Sequence, residues 1–149
     1  MTDTGLDGEY DNENIFAKIL RGEFPCHKVF EDDSVLAFMD VFPQAPGHVL
    51  IVPKVAARNL LDFPTELFGD YMARVQKIAQ AMKAALSPEG ISMFQFSGAA
   101  GGQSVFHLHF HLVPRANGQL LKGHGNIERA DDAELRGFAN AIAQALTEQ

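Results

Sequence analysis

His107-Leu108-His109-Phe110-His111-Leu112-Val113-Pro114 alternates an imidazole with an apolar side chain over its first six residues. Successive side chains of an extended chain point to opposite faces. The pattern therefore predicts a β-strand with His107, His109 and His111 on one face and Leu108, Phe110 and Leu112 on the other. Neighbouring histidines on that face stand about 6.6 Å apart, twice the strand rise. A helix would scatter them around its axis. Half of the chain's six histidines lie here, and titratable groups gathered on one face point to chemistry.

Working back along the chain, the run is preceded by Ser97-Gly98-Ala99-Ala100-Gly101-Gly102-Gln103-Ser104. Three glycines and two alanines in eight residues allow a tight turn and close approach to a ligand. Such a loop can direct several backbone N–H groups at one anion. The Gln103 amide and the Ser104 hydroxyl add side-chain donors at its end. An anion cradle leading into a row of imidazoles suits phosphoryl chemistry at a histidine.

Gly101-Gly102-Gln103-Ser104-Val105-Phe106-His107-Leu108-His109-Phe110-His111-Leu112-Val113 resembles the signature of the histidine triad family, His-φ-His-φ-His-φ-φ with φ apolar. Asp40-Val41-Phe42-Pro43-Gln44-Ala45-Pro46-Gly47-His48-Val49-Leu50-Ile51-Val52-Pro53-Lys54 resembles that family's nucleoside-binding half, as does Ile15-Phe16-Ala17-Lys18-Ile19-Leu20-Arg21-Gly22-Glu23. The likeness runs from about Asn14 to Arg115, and the Gln-Ser-Val form of the loop is most similar to the nucleoside phosphoramidate hydrolase branch. It implies an α+β fold: a five-stranded, mainly antiparallel sheet with a long helix and short N- and C-terminal helices, paired across a two-fold axis in a homodimer. It also implies an AMP-like purine nucleotide substrate.

The resemblance assigns roles by motif position. His109 attacks the α-phosphorus and carries the nucleotidyl group, while His107 and His111 flank it and balance charge or pass a proton. His48 supports them from a neighbouring strand, or is simply a satisfied structural histidine. Ser97, Gly102, Gln103, Ser104 and Val105 hold the phosphoryl oxygens. Asp40 accepts hydrogen bonds from ribose hydroxyls, unless it is only a turn residue, and Val41, Phe16 and Ile19 line an apolar base pocket. The reading needs no cofactor and no metal. Two histidines two apart on a strand can share zinc, with His48, His111 or an acid as third ligand, and this stands as the competing interpretation. Cysteines that hold a structural zinc in related proteins are replaced here by Asn14 and Ala17. Other departures are Phe96, where many members have Asn, and Val55 and Ala56, where a further histidine often follows. All three triad histidines are present, which argues against the transferase branch. A dinucleoside polyphosphate hydrolase and a nucleotide-binding protein with vestigial catalysis remain alternatives.

Composition narrows the rest. At 149 residues and 46% hydrophobic, the chain suits one globular domain over residues 14–149. No apolar run is long enough to span a membrane. No basic Lys/Arg cluster suggests nucleic-acid binding. The single Cys26 excludes an internal disulfide and fits a reducing compartment, so a cytoplasmic location is expected. Of the net charge of −7, residues 1–13 contribute Asp3, Asp7, Glu9, Asp11 and Glu13; without these, 14 acidic side chains face 12 basic ones. The segment reads as a solvated, disordered arm, and the body should not strongly repel an anionic substrate.

Local signals place the other elements. Asn14 can cap a short helix ended by Gly22. His27–Glu31, Val35–Asp40 and His48–Pro53 read as strands. Leu67, Phe68, Tyr71, Met72, Val75, Ile78, Ala79, Met82 and Leu86 follow helical spacing after Pro64. Ile91–Phe96 reads as a strand. Residues 116–130 read as a surface loop, and Asp131 with Glu134 opens a final helix.

Overall fold

Asn14 begins the ordered helical structure as expected: its side-chain oxygen accepts from the Ala17 N–H at 2.9 Å and starts α1 (Ile15–Leu20). A computed structural model describes residues 3–122 and 127–149. After α1 come β1 (Lys28–Glu31), β2 (Val35–Met39), β3 (Val49–Pro53), α2 (Phe68–Leu86), β4 (Gly90–Phe94), β5 (Phe110–Arg115) and α3 (Asp132–Thr147). A short 3₁₀ turn, Thr65–Leu67, leads into α2. The five strands form one antiparallel sheet in the order β1-β2-β3-β5-β4.

The sheet is covered unequally. α2 and α3 pack on one face, over Val35, Ala37, Met39, Val49, Ile51, Leu108, Phe110 and Leu112. Each such aliphatic or aromatic side chain contributes about 1.5–3 kcal/mol when buried. α1 covers part of the other face, where Phe16 joins Leu36, Phe38, Leu50 and Val52. β2 and β3 are buried along their whole length because both faces are occupied.

Two expectations need correction. The final helix is not short: α3 spans 16 residues, since Leu135, Ala139, Ile142, Ala145 and Leu146 all bury against α2. The histidine strand is shorter than the pattern suggests. Its ladder begins at Phe110, opposite Ile51, and the Leu108 N–H bonds not to β3 but to the Ala57 carbonyl, 2.8 Å away. The alternation of faces survives outside the ladder, with Leu108 fully buried beneath α2 and α3. The acidic arm keeps residues 3–9 and 11–13 exposed, while its backbone is held at several points. Arg58 and Asn59 bond to the carbonyls of Asp3, Gly5 and Leu6, burying guanidinium and amide donors that otherwise would lack partners. The loop expected over 116–130 includes 123–126, which lie outside the described residues; its flanks carry no helix or strand through Ala130.

Candidate active site

The register of β5 sets the site. His111 pairs with Leu50 of β3 on one side and Phe94 of β4 on the other. It therefore faces the α1 side, and His109 lies beside it with ring centroids 4.9 Å apart. Phe16 of α1 meets the His109 ring edge-on at 4.8 Å. Ile19 packs in the same cluster as Phe16.

The three histidines have different environments. His109 Nδ1 lies 2.6 Å from the His107 carbonyl, an acceptor only, so Nδ1 carries the proton and donates. Nε2 then keeps its lone pair and has no hydrogen-bond partner among the described residues. His107 is fully buried, with Nε2 2.8 Å from the Pro53 carbonyl and Nδ1 2.5 Å from the Tyr10 hydroxyl. Both nitrogens are occupied. Neither can hand a proton to a substrate without giving up one of these bonds.

His111 is set by a chain of donors. The Gln44 N–H donates to His48 Nδ1 at 2.9 Å, so the neutral His48 ring carries its proton on Nε2. That proton is donated to His111 Nδ1, 2.9 Å away. His111 Nε2 then bears the remaining N–H and is a buried polar atom without a partner. Such an orphan at a site is a functional signal. Phe94 and Phe96 flank the ring, with Phe96 at 5.4 Å.

Burial holds these rings neutral. It pushes the pKa of His109 down to about 4, despite the hydrogen bond to the His107 carbonyl, which favours the protonated ring. It pushes His48 to about 4 and His111 to about 3, each lowered further by adjacent imidazoles. Asp40 is raised to about 6, chiefly by burial and despite the Phe42 N–H it accepts. Its Oδ2 lies 3.5 Å from His48 Nε2, but a neutral imidazole offers no charge to lower that pKa.

Asp40, His48 and His111 lie close enough to suggest a metal set, with one donor atom each inside 4.8 Å. The hydrogen bonding does not fit a metal. A neutral His48 that accepts the Gln44 N–H at Nδ1 has no lone pair at Nε2 to give. The cluster is a hydrogen-bond chain.

The glycine loop is built differently from its sequence reading. The Gln103 side chain is buried and fully committed: its oxygen accepts the Gly98 N–H, and its amide donates to the carbonyls of Arg58 and Val105. It shapes the loop and has no donor left for phosphate. Ser97 is turned to Gln95 and the Leu60 N–H. Gly102 adopts φ +106°, which strains any residue with a Cβ, and a Cβ there would also press on the Phe96 ring at 3.3 Å. Ser104 stays exposed and lines a cleft of about 180 Å³ with Val105 and Ile15. Val41 leaves the expected pocket. Alternation places it on the face opposite Asp40, packed against the α2–α3 cluster.

Tyr10, Gln44 and Arg58 were not singled out from sequence. A tyrosine among acids was the available signal for the first. Gln44 acts through its backbone N–H, which has no side-chain signature.

Comparison with known proteins places this architecture. A HIT-like protein from Bartonella henselae, described as involved in cell-cycle regulation, is 47% identical, has a TM-score of 0.87 and covers 93% of this chain and 99% of its own. A zinc-bound histidine triad protein from Mycobacterium smegmatis is 31% identical with a TM-score of 0.79, covering 91% and 94%. The adenylylsulfatase HINT3 of Arabidopsis thaliana is 35% identical over 118 residues, 79% of this chain and 60% of that protein. Among the described residues no helix is long and apolar enough to cross a membrane. The sequence pattern of the HIT domain matches residues 21–118, and the chain belongs to the HIT domain family.

Proposed function

We propose that the protein is a nucleotidyl hydrolase. It cleaves the bond between the α-phosphorus and the leaving group of purine nucleoside phosphoramidates or related AMP conjugates. The observation that carries this reading is the pinning of His109 Nδ1–H on the His107 carbonyl, which frees Nε2 for in-line attack. In the first step the Nε2–P bond forms and the P–N bond to the leaving amine breaks. A bound phosphate's negative charge favours the protonated His111 ring, whose Nδ1 takes a proton from solvent while the His48 Nε2–H turns to Asp40 Oδ2, 3.5 Å away, and His111 Nε2 then supplies the amine's proton. In the second step water attacks phosphorus, the P–Nε2 bond breaks and the water's proton returns to His111.

Ser104 and the backbone N–H of Val105 hold the phosphoryl oxygens, while the Gly102 N–H stays on the Ala99 carbonyl at 3.0 Å. Asp40 takes the ribose hydroxyls, while Phe16 and Ile19 face the base. The adenylylsulfatase relative is named for an AMP conjugate, which supports this substrate class. A polyphosphate leaving group would need cations. Arg58, beside Ser104 in the cleft, has its guanidinium committed to arm carbonyls instead, which favours the phosphoramidate over a dinucleoside polyphosphate. Pure binding would not require a poised lone pair on His109.

The test is turnover of an adenosine phosphoramidate against a diadenosine polyphosphate, each with and without exhaustive chelation. Faster phosphoramidate turnover, unaffected by chelator, is expected. Preference for the polyphosphate overturns the substrate class. Loss on chelation with recovery on zinc overturns metal independence.

We also propose a two-fold homodimer through β4, the last strand of the sheet. Its Ile91 and Met93 side chains are 37% and 52% exposed beside an unpaired backbone edge. Light scattering should return about twice the chain mass of 16.3 kDa. A monomer mass at working concentration contradicts it.

A further inference from the structure

The acidic arm is tied to the glycine loop at several points. Arg58, only 4% exposed, donates to the Asp3 and Gly5 carbonyls at 3.0 and 2.9 Å and stacks on Phe106. Asn59 donates to the Leu6 carbonyl at 2.9 Å. The Ala99 N–H, inside the loop, donates to the Thr4 carbonyl at 2.8 Å. Leu6 lies so close to Gly98 that a Cβ there would come within 3.2 Å of it. This path delivers Tyr10 onto His107, with the rings edge-to-face at 5.5 Å and the hydroxyl on Nδ1.

We propose that Tyr10 is a positioning residue, whose hydroxyl locks the buried His107 ring in one tautomer and so holds the His107 carbonyl that fixes the nucleophile. The inference rests on reading His109 as that nucleophile. Pro53's carbonyl can only accept, so His107 Nε2 must carry the proton. Nδ1 is then an acceptor, and the Tyr10 hydroxyl is its donor among the described residues. Removing the hydroxyl leaves a buried acceptor unpaired. The ring relieves this by rotating or changing tautomer, at the expense of its bond to Pro53. The backbone at residue 107 loses its anchor, and the carbonyl 2.6 Å from His109 Nδ1 moves with it. Tyr10 makes no hydrogen bond to Asp40, Phe16 or Ser104, so the loss falls on kcat rather than on substrate affinity.

The test uses the full chain and Tyr10→Phe, which keeps the ring contact and removes only the hydroxyl. Histidine side-chain ¹⁵N spectra of the substrate-free protein read the tautomers directly. In the wild type, His107 should appear as the Nε2–H form with a hydrogen-bonded Nδ1. In the variant its Nδ1 resonance should move and the His109 Nδ1 proton should exchange faster with water. With an adenosine phosphoramidate, kcat should fall about tenfold, the scale of a slightly misplaced reacting group, while KM stays within about twofold. An arm that serves only as packing would lower the melting temperature and leave both histidine signals in place, which overturns the proposal. So does a shifted His107 signal with unchanged kcat. If the wild type hydrolyses no phosphoramidate, the reading of the site fails, whereas the His107 spectrum still decides the role of Tyr10.

Discussion

His109→Asn should lower kcat by about 10³-fold or more, because a covalent route is lost rather than one hydrogen bond. KM should change little, since Asp40, Phe16 and the glycine loop still hold the nucleotide. In the wild type, rapid quench with labelled substrate should leave the label on the peptide containing His109. Label on His107 or His111, or a variant with near-normal kcat, contradicts the assignment. The same residue sets the acid limb of the pH profile. Its pKa is depressed to about 4 by burial, so the ring is neutral and nucleophilic through the physiological range. Lowering the pH toward 4 protonates Nε2 and removes the lone pair, so kcat/KM should fall steeply below about pH 5. A fall centred near the ordinary histidine value of about 6.5 would show that the site is wetter than the structure has it.

His111→Ala should cost about 10²- to 10⁴-fold with an amine leaving group, the usual range for losing a positioned proton donor. Its Nε2–H is a buried donor without a partner, since His48 occupies Nδ1. The diagnostic is leaving-group dependence. An alkylamine must be protonated as it leaves, whereas a nitrophenolate needs no proton. The variant should therefore be severely impaired on the adenosine alkylphosphoramidate and much less so on the nitrophenyl ester of AMP. Equal losses on both substrates would assign His111 to phosphate binding. His107 would substitute as the donor only by giving up a bond, since both its nitrogens are bonded within the protein.

Several features were legible in the residues themselves. The alternation from His107 to Leu112 predicted two opposed faces, and the apolar set does enter the α2–α3 core. That holds even where the ladder stops, because side-chain alternation follows from extended backbone and not from the neighbouring strand. Asn14 and Asp131 cap their helices through contacts three residues away, so their sequence signals are local and complete. The same alternation rule, applied from Asp40, puts Val41 on the opposite face, where it packs against the α2–α3 cluster.

The α+β class, the face that carries the histidines and the loop before them were readable from residue order, since each depends on short-range periodicity or glycine content. The hydrogen bonds that distinguish one histidine from another come from distant parts of the chain. His107 and His111 have equivalent places in the motif. What separates them is a carbonyl of Pro53, the hydroxyl of Tyr10 and an N–H of Gln44. Two of these are backbone groups that every residue type carries, so no sequence pattern marks them. The third sits 97 residues away in a segment whose acidity suggested a solvated arm. Its docking depends on buried Arg58 and Asn59 finding carbonyl partners, a long-range satisfaction of polar groups that exists only once the chain has folded.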